Sequence, residues 1–82
     1  MTVLIDTFQK KRLVKALVRL SKDACDVEDI ESALQILIMT EKFVFNINIK
    51  QEDKKAVIIM LVAGYESYWH HCNQNNLGNI QV

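Results

Sequence analysis

The segment "AVIIMLVAG", residues 56–64, has no charged side chain, no hydroxyl group and no alternation of polar and apolar residues. As a helix it would be apolar on every side. It is about half as long as the ~20 apolar residues that a membrane-spanning helix needs. Polar flanks extend it at both ends, and Glu52 and Asp53 suit the first turn of a helix. We therefore predict a water-soluble helix over residues 51–72, followed by a loose tail over residues 73–82.

The composition favours a small helical protein. The chain has 82 residues, half of them apolar, with no proline and only two glycines. Such a sequence suits long helices and suits a multi-stranded β-fold badly. We predict an all-α fold in which residues 1–82 form a single three-helix domain. A chain this short has a small core, and proteins of this size often add a second subunit, so we also expect a homo-oligomer.

The N-terminal third predicts an extended arm over residues 1–5 and a first helix over residues 6–24. Asp6 and Gln9 have the spacing of a capping box at the start of this helix. One apolar stripe is predicted to face the core, and it consists of Leu13, Leu17, Leu20 and Ala24, with Val14 and Ala16 at its edges. A basic stripe lies on the opposite side and consists of Arg12, Lys15, Arg19 and Lys22.

A second helix is predicted over residues 26–41, with Asp26 as its N-cap. Its core-facing positions are Val27, Ile30, Leu34, Leu37 and Ile38. Ile36 and Met39 fall on a different side of the helical wheel. We expect these two side chains to be exposed in an isolated helical hairpin.

The segment "FVFNINI", residues 43–49, alternates bulky and smaller residues with a period of two. That period is typical of a strand. A lone strand needs a partner, which the arm, a second subunit or another protein could provide. The alternative is an extended connector whose phenylalanine and isoleucine side chains fill the core. We favour the connector, because one strand cannot stand alone.

Charge is unevenly distributed along a chain of zero net charge. Residues 1–22 carry six basic side chains against one acid, whereas residues 23–41 carry six acids and no base. The simplest interpretation is that the two segments pack together, or meet across a dimer. Either segment could instead face a charged partner.

The sequence offers no recognisable reaction chemistry. Cys25 and Cys72 follow no disulfide pattern and no signal peptide is visible, so we expect reduced thiols in a cytoplasmic protein. Adjacent residues of "HHC", residues 70–72, diverge on a helix and do not converge on one metal ion. No nucleophile has an orienting partner, and no glycine-rich phosphate loop is present. We expect no enzymatic activity, no metal and no cofactor.

Aromatic side chains cluster in the second half of the last helix. Tyr65, Tyr68 and Trp69 share one side with Val57, Leu61 and Cys72, which fits either core packing or a protein interface. Ile59 and Ala63 lie roughly opposite Val57 and Leu61 and need separate cover. The residues that we predict to bind a partner are Ile36, Met39, Ile59, Tyr65, Tyr68 and Trp69.

Over all 82 residues, from "MTVLIDTFQKKRLVKAL" to "YWHHCNQNNLGNIQV", the chain resembles the cytoplasmic lysis-inhibition accessory proteins of T-even bacteriophages, the products of the third rapid-lysis locus. The resemblance rests on length, the absence of proline and the asparagine-rich tail. It implies a protein without catalytic residues in the host cytosol, drawn to the inner face of the cytoplasmic membrane by its partner. That partner would be the cytosolic part of the phage holin, bound alongside a periplasmic antiholin, and the effect would be delayed lysis.

Three functional hypotheses remain open at this point. The first is a regulatory protein that binds another protein, and most specifically a holin. The second is a small phage-type transcription regulator that binds nucleic acid or polymerase through the basic stripe. The third is a purely structural homo-oligomer. The neutral charge of the whole chain and the lack of a DNA-binding motif argue against nucleic acid as the partner.

Overall fold

The computed structural model describes the backbone of residues 7–80 and the side chains of residues 7–74. Within this part the chain contains no strand and forms three helices, α1 (Thr7–Asp26), α2 (Ile30–Asn46) and α3 (Gln51–Ile80). Each helix packs against the other two, so the prediction of an all-α, three-helix fold is confirmed. The predicted arm and the cap at Asp6 lie outside the described residues.

No helix in the described part of the chain has an apolar stretch long enough to span a bilayer. The apolar segment at residues 56–64 occupies the N-terminal half of α3. The helix also continues beyond residue 72, and the prediction of a loose tail is wrong for the backbone of residues 73–80. This part contains no proline, so the helix can continue through it, although Gly78 and four asparagines have low helix propensity.

A tight turn joins α1 to α2. Glu28 has a φ of 61°, and the amide groups of Glu28 and Asp29 donate to the carbonyl oxygens of Cys25 and Ala24 over 2.9 and 2.8 Å. This pattern is a Schellman motif, in which a left-handed residue satisfies the last carbonyl groups of a helix. Because the motif extends α1 to Asp26, the predicted N-cap at Asp26 is wrong.

The N-cap of α2 is Asp29, whose carboxylate accepts a hydrogen bond from the amide of Ser32 over 3.2 Å. Val27, predicted to face the core, lies in the turn and is 75% exposed. The N-cap of α2 therefore lies three residues after the predicted position.

The alternating segment at residues 43–49 is not extended throughout. Residues 43–46 form the last turn of α2, and residues 47–50 connect it to α3. Phe43, Ile47 and Ile49 pack against the core, whereas Phe45 is 64% exposed. The prediction of an extended segment whose phenylalanines fill the core is therefore wrong for residues 43–46. Phe43 and Ile47 are also four residues apart, a helical spacing that a short window cannot distinguish from alternation.

The interior is formed by positions spaced by three, four or seven residues along each helix. The buried positions are Val14, Ser21 and Cys25 of α1, Ala33, Leu37, Thr40 and Val44 of α2, and Val57, Leu61 and Gly64 of α3. Many of these side chains are small, which lets the helices approach closely. A Cβ atom placed on Gly64 would lie 3.0 Å from both Leu37 Cδ2 and Val18 Cγ1.

This packing register differs from the predicted one. The leucine stripe of α1 was expected to face the core, yet Leu13 and Leu20 are exposed and Leu17 is half-buried. On α2, Ile38 is exposed, while Ile30 and Leu34 are half-buried. At 100° per residue the leucine stripe lies about a quarter turn from the buried side of α1. The side of each helix that faces the core is therefore the side whose side chains pack closely, and not the side with the largest apolar residues.

Candidate protein-binding faces

The orientation of α1 is defined by its ion pair with α3. Lys11 Nζ lies 3.2 Å from Asp53 Oδ1, and both side chains are partly buried. Lys11 belongs to the same side of α1 as Lys15 and Lys22. The basic side of α1 therefore adjoins α3, and the leucine stripe, on the other flank, adjoins α2.

The orientation of α2 is defined by a hydrogen bond to α3. The hydroxyl of Tyr65 donates to Glu41 Oε1 over 2.7 Å. Glu41 shares its flank of α2 with Leu34 and Phe45, so this flank adjoins α3. Ile36 and Met39 lie on the other flank, next to α1.

These two orientations create an apolar surface along the groove between α1 and α2. We define the α1–α2 face as Leu13, Leu17, Leu20, Ala24, Ile36, Met39 and Phe43. Leu20 is 52% exposed and Met39 is 63% exposed, and the others range from half-buried to exposed. None of these seven side chains is ionisable, and Lys10 marks the N-terminal end of their stripe on α1. Several exposed apolar side chains grouped along one groove are typical of a protein interaction site.

The structure does not bring all the predicted partner-binding residues together. Ile36 and Met39 share the α1–α2 face. Ile59 and Trp69 lie on the outer surface of α3, 68% and 64% exposed, and they are separated from the first pair by the bundle. Tyr65 lies between α3 and α2, where Glu41 holds its hydroxyl.

Tyr68 has a different environment, close to the two cysteines. Burial raises the pKa of Tyr68, and a hydrogen bond with Cys72 acts in the same direction. Burial also raises the pKa of the Cys25 thiol, with smaller contributions from Cys72 and Asp26. Both thiols are free. A raised pKa leaves little thiolate at neutral pH, so Cys25 is a poor nucleophile.

The two histidines lie beside a groove at the C-terminal end of α1. His70 and His71 line it together with Cys25, Asp26 and Glu66. His71 is half-buried, and its Nε2 has no hydrogen-bond partner among the described residues. No group of three histidine, cysteine or acidic side chains in the described part of the chain is arranged to hold a metal ion.

The basic stripe remains a separate surface. Arg12, Lys15, Arg19 and Lys22 are all exposed, and Arg12 stacks over the ring of Phe8 with its guanidinium carbon 5.8 Å from the centroid. Between residues 7 and 74 the structure has one ion pair, from Lys11 to Asp53. Within this range, the basic side chains of α1 therefore form no ion pair with the acids of residues 23–41.

The leucines of the α1–α2 face are candidate binding residues that the sequence analysis did not propose. Leu13, Leu17 and Leu20 were assigned to the core because they form the most regular apolar stripe of α1. A second signal was present in the sequence, since Val14, Val18, Ser21 and Cys25 also follow a spacing of four and three. This second stripe contains a serine and a cysteine, so its hydropathy is lower than that of the leucine stripe. Both residues are nevertheless buried.

Comparison with protein-family models finds no match to this chain, and neither do comparisons with curated proteins and with solved structures.

Proposed function

We propose that this protein is a non-enzymatic regulator that acts by binding another protein through the α1–α2 face. The observation that carries the proposal is the uncharged, partly exposed apolar surface that runs along both helices. Burying an exposed aliphatic side chain contributes roughly 1.5–3 kcal/mol. Leu13, Leu20 and Met39 are 40%, 52% and 63% exposed, so a partner that covers them would gain part of this free energy at each position.

The resemblance to the phage lysis-inhibition proteins makes the partner specific. Under this proposal the α1–α2 face binds the cytosolic segment of a phage holin and so delays lysis of the infected cell. An apolar groove between two helices suits the apolar side of an amphipathic helix. The protein would then act in the host cytosol, next to the inner face of the membrane that holds its partner.

Titration calorimetry with the soluble cytosolic segment of the holin tests this function. We expect a dissociation constant in the micromolar range for the unchanged protein. Met39→Glu should weaken binding at least about ten-fold, because binding would bury an unpaired carboxylate. Absence of binding by the unchanged protein at tens of micromolar would exclude the holin as partner.

Phe45→Glu is a matched control for Met39→Glu. Both residues are on α2, both are about equally exposed, at 64% and 63%, and both substitutions add one negative charge. They lie on opposite flanks of the helix. Equal loss of binding by the two variants, with helicity preserved in circular dichroism, would contradict the assignment to the α1–α2 face.

In infected cells, the variant Met39→Glu should give a shorter time to lysis than the unchanged protein.

The exposed basic stripe favours a second candidate, a regulator that binds nucleic acid or polymerase. Three charge reversals, Arg12→Glu, Lys15→Glu and Arg19→Glu, test this candidate. If the stripe binds DNA, fluorescence anisotropy should detect a complex that weakens steeply between 50 and 200 mM salt. The triple variant should then lose that complex while keeping its affinity for a protein bound at the α1–α2 face.

A further inference from the structure

The outer surface of α3 carries a regular stripe of exposed residues. We define the α3 ridge as Glu52, Lys55, Ile59, Val62, Glu66 and Trp69, which follow one another at alternating spacings of three and four residues. All six are exposed. The ridge lies opposite the buried side of α3, which contains Val57 and Leu61, although Glu66 also borders the groove at the C-terminal end of α1. This alternating spacing is that of a coiled-coil seam.

The order of charges along the ridge is the second observation. Ile59 and Val62 form an apolar centre, with Lys55 one turn before it and Glu66 one turn after it. If two copies of the ridge are laid antiparallel about the midpoint of this centre, Ile59 of each copy lies opposite Val62 of the other. Lys55 then lies opposite Glu66, and the symmetry of the pair creates this contact twice.

A parallel arrangement would have the opposite effect. It would place Lys55 against Lys55 and Glu66 against Glu66, and like charges in contact are destabilising. An unrelated partner would have to supply both complementary charges at the right spacing, whereas a second copy supplies them by symmetry. The ridge is therefore complementary to itself in one orientation only.

We propose that a second copy of this chain covers the α3 ridge, in an antiparallel helix pair centred on Ile59 and Val62. The contact from Glu52 to Trp69 extends over roughly 26 Å at 1.5 Å per residue. It leaves the α1–α2 face on the far side of each bundle, so the dimer does not depend on the function proposed above.

The mass of the protein in solution tests the dimer itself. Sedimentation equilibrium between 1 and 100 µM should give twice the 9.5 kDa mass of one chain. Ile59→Glu should give a monomer that retains its helicity, because position 59 is exposed within one copy. Met39→Glu, on the α1–α2 face, should remain a dimer. A monomer for the unchanged protein at 100 µM would overturn the proposal.

Charge exchange tests the antiparallel register. Lys55→Glu and Glu66→Lys should each weaken dimerisation about ten-fold, because each variant places like charges together at two contacts. Mixing the two single variants should restore association, since the mixed dimer has two attractive contacts. The double variant, with both charges exchanged, should dimerise like the unchanged protein. Failure of both the mixture and the double variant to recover would overturn the register.

The tests of the two surfaces give separable results. Failure of the holin to bind would leave the dimer mass unchanged, and a monomeric protein would still bind a partner through the α1–α2 face. Ile59→Glu should be monomeric with the affinity for a single partner segment preserved. Loss of that affinity in Ile59→Glu, with helicity intact, would contradict the separation of the two surfaces.

Discussion

Tyr65 shows how one hydrogen bond between helices couples the fold to pH. Its hydroxyl donates to Glu41 Oε1 over 2.7 Å. Burial, followed by the hydrogen bond and the charge of Glu41, raises the pKa of Tyr65 to about 12. An unperturbed tyrosine titrates near pH 10. The folded protein therefore keeps this phenol protonated at pH values at which the unfolded chain has lost the proton.

We expect the stability contributed by this group to be complete below pH 10 and to be lost as the pH rises from about 10 to 12. Urea unfolding at a series of pH values measures the effect. Tyr65→Phe should flatten the decline in unfolding free energy across that window. Tyr68 is the only other tyrosine, so absorbance at 295 nm in the variant reports its titration alone. An unchanged pH profile in Tyr65→Phe would contradict the assignment.

Glu28 stores backbone strain in the turn between α1 and α2. Its φ of 61° places it in the left-handed region, which a residue with a Cβ atom enters at a cost of roughly 1–2 kcal/mol. Its side chain is exposed. We expect Glu28→Gly to raise the free energy of unfolding by about 1 kcal/mol, because glycine is favoured at this position of a Schellman motif.

Chemical denaturation measures this gain, and Glu31→Gly is its control. Glu31 is also exposed but lies in the first turn of α2. There glycine should lower stability by about 1 kcal/mol, since it weakens the helix. The same substitution is thus expected to act in opposite directions three residues apart.

At the scale of the helices, the N-cap of α2 is Asp29, whereas the sequence predicted Asp26. The carboxylate of Asp29 accepts from the Ser32 amide, whereas Asp26 is the last residue of α1. Asp29→Ala should lower the free energy of unfolding by about 1 kcal/mol. Asp26→Ala should leave it unchanged or slightly higher, because an acidic side chain opposes the dipole at a helix C-terminus. The reverse order in urea denaturation would favour the cap predicted from sequence.

The close approach of all three helices depends on Gly64. A Cβ atom there would lie 3.0 Å from atoms of Leu37 and Val18, so a valine side chain needs these neighbours to move. We expect Gly64→Val to cost about 1–3 kcal/mol through overpacking. Ala63→Val, at the adjacent exposed position, should cost about 0.5 kcal/mol through helix propensity alone. Thermal unfolding of the two variants compares these effects, and equal losses would contradict close packing at Gly64.

Helix content could be predicted from sequence, but helix ends and registers could not. The absence of proline and the apolar patterns along the chain predict three helices, and the described residues form three. The end of α1 depends on a left-handed Glu28, and glutamate gives no local signal for that conformation. The last turn of α2 depends on the contact of Phe43 with the core, and such tertiary contacts override a period of two.

For the molecule as a whole, the sequence predicted some of the exposed apolar side chains correctly, but it placed several exposed leucines in the core. Met39 and Ile59 were expected to lie outside the core, and both do. Leu13 and Leu20 were expected inside and lie outside. A leucine in the core has the same hydropathy as a leucine at a binding surface. Composition alone therefore cannot distinguish the two roles. The three-dimensional arrangement separates them, because Ser21 and Gly64 occupy the interior that the leucines were expected to fill.

The position of the α1–α2 face relative to the α3 ridge also determines valency. In any three-helix bundle the groove between two helices lies opposite the outer surface of the third. Two copies joined back to back through α3 would therefore present their grooves in opposite directions, and one dimer would hold two partner molecules. Tethering the second partner would raise its effective concentration. Such a dimer would crosslink two partner molecules. The monomeric variant Ile59→Glu would bind one partner molecule and would not crosslink.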